Sequence, residues 1–145
     1  MKRMAMLAAV VLMSAGVMAQ DAKKPLDQAF EPLQGSWSVT SINGQGPDAM
    51  GISSMSLVIK DNKYTQVTNG TTDERGSIKL DATKKPMSID LVIEEGNDAG
   101  KLQLGIIEVT GDAMKVKLNQ PDTANRPTAF GMEEGFLMVT ATKAK

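Results

Sequence analysis

Neither histidine nor cysteine occurs in the 145 residues. That removes the commonest general base, the commonest nucleophile–base pairs and the two side chains on which zinc sites normally draw. Paired carboxylates can hydrolyse glycosides, but the acids here fall mainly in turns and at outward strand positions, where solvation accounts for them. Glu94-Glu95-Gly96-Asn97-Asp98 offers the hard oxygen ligands that calcium takes, without the spacing of an EF-hand loop; a polar hairpin turn accounts for it equally well. Of the eleven methionines, five (Met1, Met4, Met6, Met13, Met18) precede residue 20 and six are dispersed. Dispersed methionine reads as flexible core filler rather than as a thioether site for copper(I). No catalytic residue, metal ligand or cofactor is assigned, and the chain is expected not to be an enzyme.

What remains is binding by shape, so the elements that would shape a site come next. Lys2 and Arg3 precede an apolar run, 4–17, too short to span a bilayer comfortably. Val17-Met18-Ala19 then places small residues where signal peptidase reads. Residues 1–19 are expected to be a signal peptide, sending the chain to the periplasm or the extracellular space with no transmembrane segment in the mature form. Losing Lys2 and Arg3 with no carboxylate moves the formal charge from −1 to −3. A mildly acidic chain without a basic block is a poor partner for nucleic acid. Residues 20–32 read as a leader with one short helical turn ended by Pro32, and 33–145 as a single domain.

From Gly35 onward, strand follows strand. Trp37, Val39 and Ser41 share one parity of the first strand; Met55, Leu57 and Ile59 alternate with Ser56, Val58 and Lys60 in the second. Asp61-Asn62 turns the chain tightly into a third strand, 63–68. A fourth is expected at 76–80. Met87, Ile89, Leu91 and Ile93 form the clearest period-2 run, followed by strands at 101–109, 114–118 and 136–142. Gly105 marks a bulge or bend. Between the last two strands lies a long loop, 120–135.

Eight strands with short connections must be antiparallel. They are expected to close as an all-β, up-and-down barrel, with a two-sheet sandwich as the alternative. The inward set, and so the candidate interior lining, is Trp37, Val39, Met55, Leu57, Ile89, Leu91, Met114 and Val116. A barrel of this size either packs solid or holds one small ligand. Arg126, at the barrel end, either grips an acidic ligand group through its planar fork, or holds the loop by stacking on Trp37 or pairing with a carboxylate.

Several stretches resemble a known family. They are Leu33-Gln34-Gly35-Ser36-Trp37, Leu57-Val58-Ile59-Lys60 with Lys63-Tyr64-Thr65, and Lys79-Leu80-Asp81 leading to Lys84-Lys85-Pro86. Ile89-Asp90-Leu91, Gly105-Ile106 with Glu108, Gly111-Asp112, and Arg126-Pro127-Thr128 with Phe130 follow in order. Together they resemble the uncharacterised exported lipocalin-like domains expanded in planctomycete bacteria. Gly35-Ser36-Trp37 by itself resembles the Gly-x-Trp opening of lipocalins and related barrels, which implies a tryptophan packed at the closed end beneath a basic side chain. The family resemblance implies no activity. Lys117-Leu118-Asn119 departs from it where members often carry a cysteine, as does Ile106-Ile107-Glu108 where the pattern is Ile-Tyr-Glu.

Two functions are therefore expected as alternatives. One is an exported barrel binding a small hydrophobic ligand in its interior. The other is an envelope module with a solid barrel, whose loops 43–53 and 120–135 contact another protein or a surface polymer.

Overall fold

The computed structural model describes residues 28–144, so the expected signal peptide and most of the expected leader lie outside the described residues. The strands are β1 (Gly35–Ile42), β2 (Met55–Lys60), β3 (Lys63–Thr68), β4 (Thr71–Asp81), β5 (Met87–Glu95), β6 (Leu102–Thr110), β7 (Ala113–Leu118) and β8 (Leu137–Lys143). Each pairs antiparallel with the next, and β8 returns to β1, closing an up-and-down barrel. Closure leaves no unpaired sheet edge. No helix among the described residues is long and apolar enough to cross a membrane.

One end of the barrel is closed. A 3-10 turn, Gln28–Leu33, continues through Pro32 and buries Phe30 and Leu33 in the core. Expected to stop at Pro32, it instead runs one residue past the proline, to Leu33. Trp37 is fully buried beside it, and its indole N–H donates to the Leu33 carbonyl at 2.8 Å. The Lys143 ammonium stands 5.2 Å from the centre of the Trp37 ring, as the Gly-x-Trp resemblance implies. Gln34 adds a two-point clasp to the β2–β3 turn, donating to the Asp61 carbonyl at 2.9 Å and accepting from the Asp61 N–H at 2.7 Å.

β6, β7 and β8 lie within one residue of the sequence reading, whereas β1 and β4 depart from it further. The β1–β8 register shifts between Val39 and Ser41. This bulge inserts one residue and flips the parity beyond it, so Ile42 rather than Ser41 faces the interior. β4 begins at Thr71 rather than Gly76. Its polar first half, 71–75, pairs with β3 and lies at the open end, where water replaces the apolar face that would have marked it as a strand.

The long loop 119–136 does not cap a barrel end. It lies as a strap across the outer wall of β5, β6 and β7, over outward residues that would otherwise be exposed. Ile106, Lys117 and Met138 are all buried. The Lys117 ammonium donates to the Ala129 carbonyl and to Glu133 Oε1, both at 2.9 Å, and sits 4.9 Å from the Phe136 ring centre. Arg126 does not stack on Trp37 at the barrel end; it donates to the Ile89 and Gly105 carbonyls at 3.0 and 2.9 Å. Its second nitrogen makes the carboxylate pair expected as the other structural role, reaching Asp90 Oδ1 at 2.7 Å. Lys143 takes the place beside Trp37, because Arg126 is carried by a strap that never reaches that end. Gly105 is needed where it stands: a Cβ there would run into the Lys117 carbonyl and the Leu118 side chain.

Replacing the buried indole, Trp37→Ala, is expected to lower the unfolding free energy by about 3–5 kcal/mol in urea titration; a near-neutral result would show that the floor does not hold the barrel. Arg126→Ala is expected to cost about 1–2 kcal/mol and to speed proteolytic cutting within 120–135, with an unchanged cutting rate showing that the strap is held elsewhere.

Candidate functional site

β1 runs away from the closed floor, so the 43–54 loop, the Asn69-Gly70 turn, the β5–β6 turn and the start of the strap all gather at the opposite end. Polar clasps hold this mouth in shape. Asn69 Oδ1 accepts from the Ser53 and Ser54 N–H groups at 2.7 and 3.2 Å, and Asn43 Oδ1 accepts from the Met138 N–H at 2.8 Å.

Between the floor and the mouth, the barrel encloses a cavity of about 320 Å³. Val39, Met55, Leu57, Ile89, Leu91, Met114 and Val116 line it. Trp37, the eighth residue of the expected lining, does not, because it is packed into the floor beneath. Ile42, Ile59, Ile78, Ile107, Leu118, Leu137 and Val139 complete the apolar wall. Cavity and filled floor coexist because five aromatic residues in the whole chain (three Phe, one Tyr and one Trp) supply little bulk, and two of them, Phe30 and Trp37, are spent at the floor.

The wall is mostly but not wholly apolar. Tyr64, Gln66, Glu74, Asp98, Gln103 and Gln120 contribute to it, all but Tyr64 near the mouth. The Asp61-Asn62 turn opposes Ile59 to Tyr64 and Leu57 to Gln66, and the next pairing opposes Gln66 to Glu74. Those registers put all three on the inner face. The signal was present in the tight turn, which fixes Tyr64 and Gln66 inward by counting back from Ile59. Glu74 was hidden because its strand reads as polar loop.

Tyr64 lies against Gly76, its register partner; a Cβ at Gly76 would come within 2.8 Å of the ring. The bare glycine lets the ring cross β4, and the phenol then donates to Glu74 Oε2 at 2.8 Å. Burial pushes the Glu74 carboxyl above its ordinary range, opposed by the Tyr64 hydrogen bond and reinforced by the charges of Asp73 and Asp98. Burial and the same carboxylate push the Tyr64 phenol up.

The oxygen ligands of 94–98 are dispersed. Glu94 points outward to Lys63 and Ser77, Glu95 pairs with Arg75 at 3.3 Å, and Asp98 pairs with Lys101 at 3.1 Å. Arg126 is not part of the cavity wall. What the site offers is a shaped, mostly apolar volume with a polar rim, suited to holding a molecule.

Because the folded chain binds the Glu74 proton more tightly than the unfolded chain does, native stability falls as pH rises from the unfolded to the folded pKa of this group. Glu74→Gln keeps an acceptor for Tyr64 and carries no charge. The variant is therefore expected to gain in melting temperature relative to the native protein as pH rises through and above the ordinary carboxylate range. A difference independent of pH would show that the carboxyl titrates as it does in the unfolded chain.

No family model matches this chain, and no curated protein or solved structure matches it either.

Proposed function

We propose that this protein is an exported, non-enzymatic β-barrel that binds a small hydrophobic ligand in its interior, as a member of the lipocalin-like family that its sequence resembles. The observation that carries the reading is the cavity of about 320 Å³ above the Trp37 floor, walled mostly by aliphatic side chains. That volume is at the lower end of small-molecule pockets, roughly 300–1,000 Å³. Burying apolar surface there contributes about 25 cal/mol per Å² to affinity before the costs of association are subtracted. Inward residues from every strand converge on the volume, so the binding surface is built mainly by the barrel wall, with Asp98, Gln120 and Pro121 added from connections.

A second reading has its own support. Met50 and Met132, on the two longest connections, are 45 % and 65 % exposed. Exposed methionines on adaptable loops suit a protein partner or an envelope polymer at the mouth.

Titration with Nile red, a neutral apolar dye, is expected to give saturable fluorescence and to raise the melting temperature, since a ligand of the folded state alone must stabilise it. Val116→Phe puts a ring into the cavity. It is expected to abolish dye binding while leaving the melting temperature of the free protein within a few degrees, about 1 kcal/mol. Undiminished binding by Val116→Phe would move the dye to the outer surface and favour the loop-mediated reading.

A further inference from the structure

The polar rim specifies more than hydrophobicity. We infer that the cavity takes a single-tailed amphiphile whose head donates hydrogen bonds, with a primary amine preferred and a carboxylate rejected; the inference rests on the interior being a ligand site, as proposed above.

The argument starts from what the rim's amides are bonded to. Gln66 Nε2 donates to Asp73 Oδ2 at 3.1 Å, Gln103 Nε2 to the Asn119 carbonyl at 2.9 Å, and Gln120 Nε2 to the Gly135 carbonyl at 3.4 Å. All three partners accept only, so the orientation of each amide follows from chemistry: the nitrogen must face the partner. One donor hydrogen of each amide is thereby committed. The three side-chain carbonyl oxygens accept no hydrogen bond among the described residues.

Charge at the rim has the same sense. Neither lysine nor arginine is in the cavity wall. Asp98 is matched by Lys101 at 3.1 Å. Glu74 pairs with no cation among the described residues; the Tyr64 phenol occupies Oε2, and Oε1 is left as an acceptor. The neighbouring cation, Arg75, is drawn to Glu95 on the next strand. A head group arriving at this rim therefore meets three amide oxygens and one carboxyl unmatched by any cation, beside the second N–H of each amide. An ammonium or hydroxyl answers the acceptors, whereas a carboxylate can use only those remaining amide N–H groups and adds like-charge repulsion against Glu74. The deep wall is aliphatic, so the tail takes the floor side and the head the mouth. A volume of about 320 Å³ suits a medium chain.

Decylamine, decanol and decanoate share one tail and differ only in head. Their affinities are to be measured below micelle formation by displacement of Nile red at neutral pH. The expected order is amine, then alcohol, then carboxylate, with the amine about tenfold or more tighter than the carboxylate, the size of one charge-assisted hydrogen bond. Glu74→Gln, shown folded by its melting curve, is expected to lose most of the amine's advantage while binding decanol within about threefold of the native protein. Decanoate binding as tightly as decylamine, or an amine advantage untouched by Glu74→Gln, would overturn the head-group inference and leave the hydrophobic site standing. Failure of all three to displace the dye, with no rise in melting temperature, would overturn both.

Discussion

The indole N–H of Trp37, held at 2.8 Å by the Leu33 carbonyl, is the bond on which the interior depends. It ties the first strand to the 3-10 turn ahead of it, so the turn becomes a floor rather than a loose approach. Phe30 and Leu33 are buried by the same tie, and Lys143 from the last strand covers the ring. Beginning and end of the barrel thus meet at one side chain. An eight-stranded barrel has no other obligatory plug, and without this one the cavity would be open at both ends and wet.

Filling the floor leaves the rest of the barrel short of bulk. Isoleucine, leucine, valine and methionine line the wall, and none reaches across the interior as an aromatic ring would. The unfilled volume therefore collects above Trp37, and its access is set by the four connections at the far end. There the inner face turns polar, because strand ends near solvent can carry Gln66, Glu74 and Gln103 without the full desolvation that the barrel centre would impose. Tyr64 joins the two regimes: its ring packs over Gly76 within the core, and its hydroxyl holds Glu74 at the rim.

The strap solves a separate problem. The outer wall of β6 and β7 carries Ile106 and Lys117, which share a register position and are both buried. Burying an ammonium is costly unless it is fully bonded. Lys117 is answered by a carbonyl, a carboxylate and an aromatic ring, all supplied by the strap or its junction with β8. Arg126 anchors the strap's far reach to β5 and β6, which makes the Arg-Pro stretch structural here. The exposed outer wall is narrowed, and only the first residues of the longest loop, Gln120 and Pro121, reach the cavity.

Local pattern determined most of the architecture. The boundaries of β2 and β3, the inward parity of Met87 to Ile93, and the hairpin at Asp61-Asn62 were all legible, because side-chain alternation and turn chemistry act over a few residues. The short connections were enough to imply sequential antiparallel pairing and hence closure. The bulge in β1 was not legible: nothing in Thr40-Ser41 marks an extra residue, and the shift arises from fitting β1 to β8, roughly a hundred residues away. The polar half of β4 was equally silent, since its strand character comes from β3 and β5 rather than from its own composition. Which residue lies against Trp37, where Arg126 is held, and which way the three amides face were decided only by tertiary structure. Each depends on which acceptor comes within about 3 Å, and distant strands set that distance. The sequence by itself determined that a floor and an apolar interior exist; the closed barrel determined that the interior is partly empty and that its rim accepts hydrogen bonds.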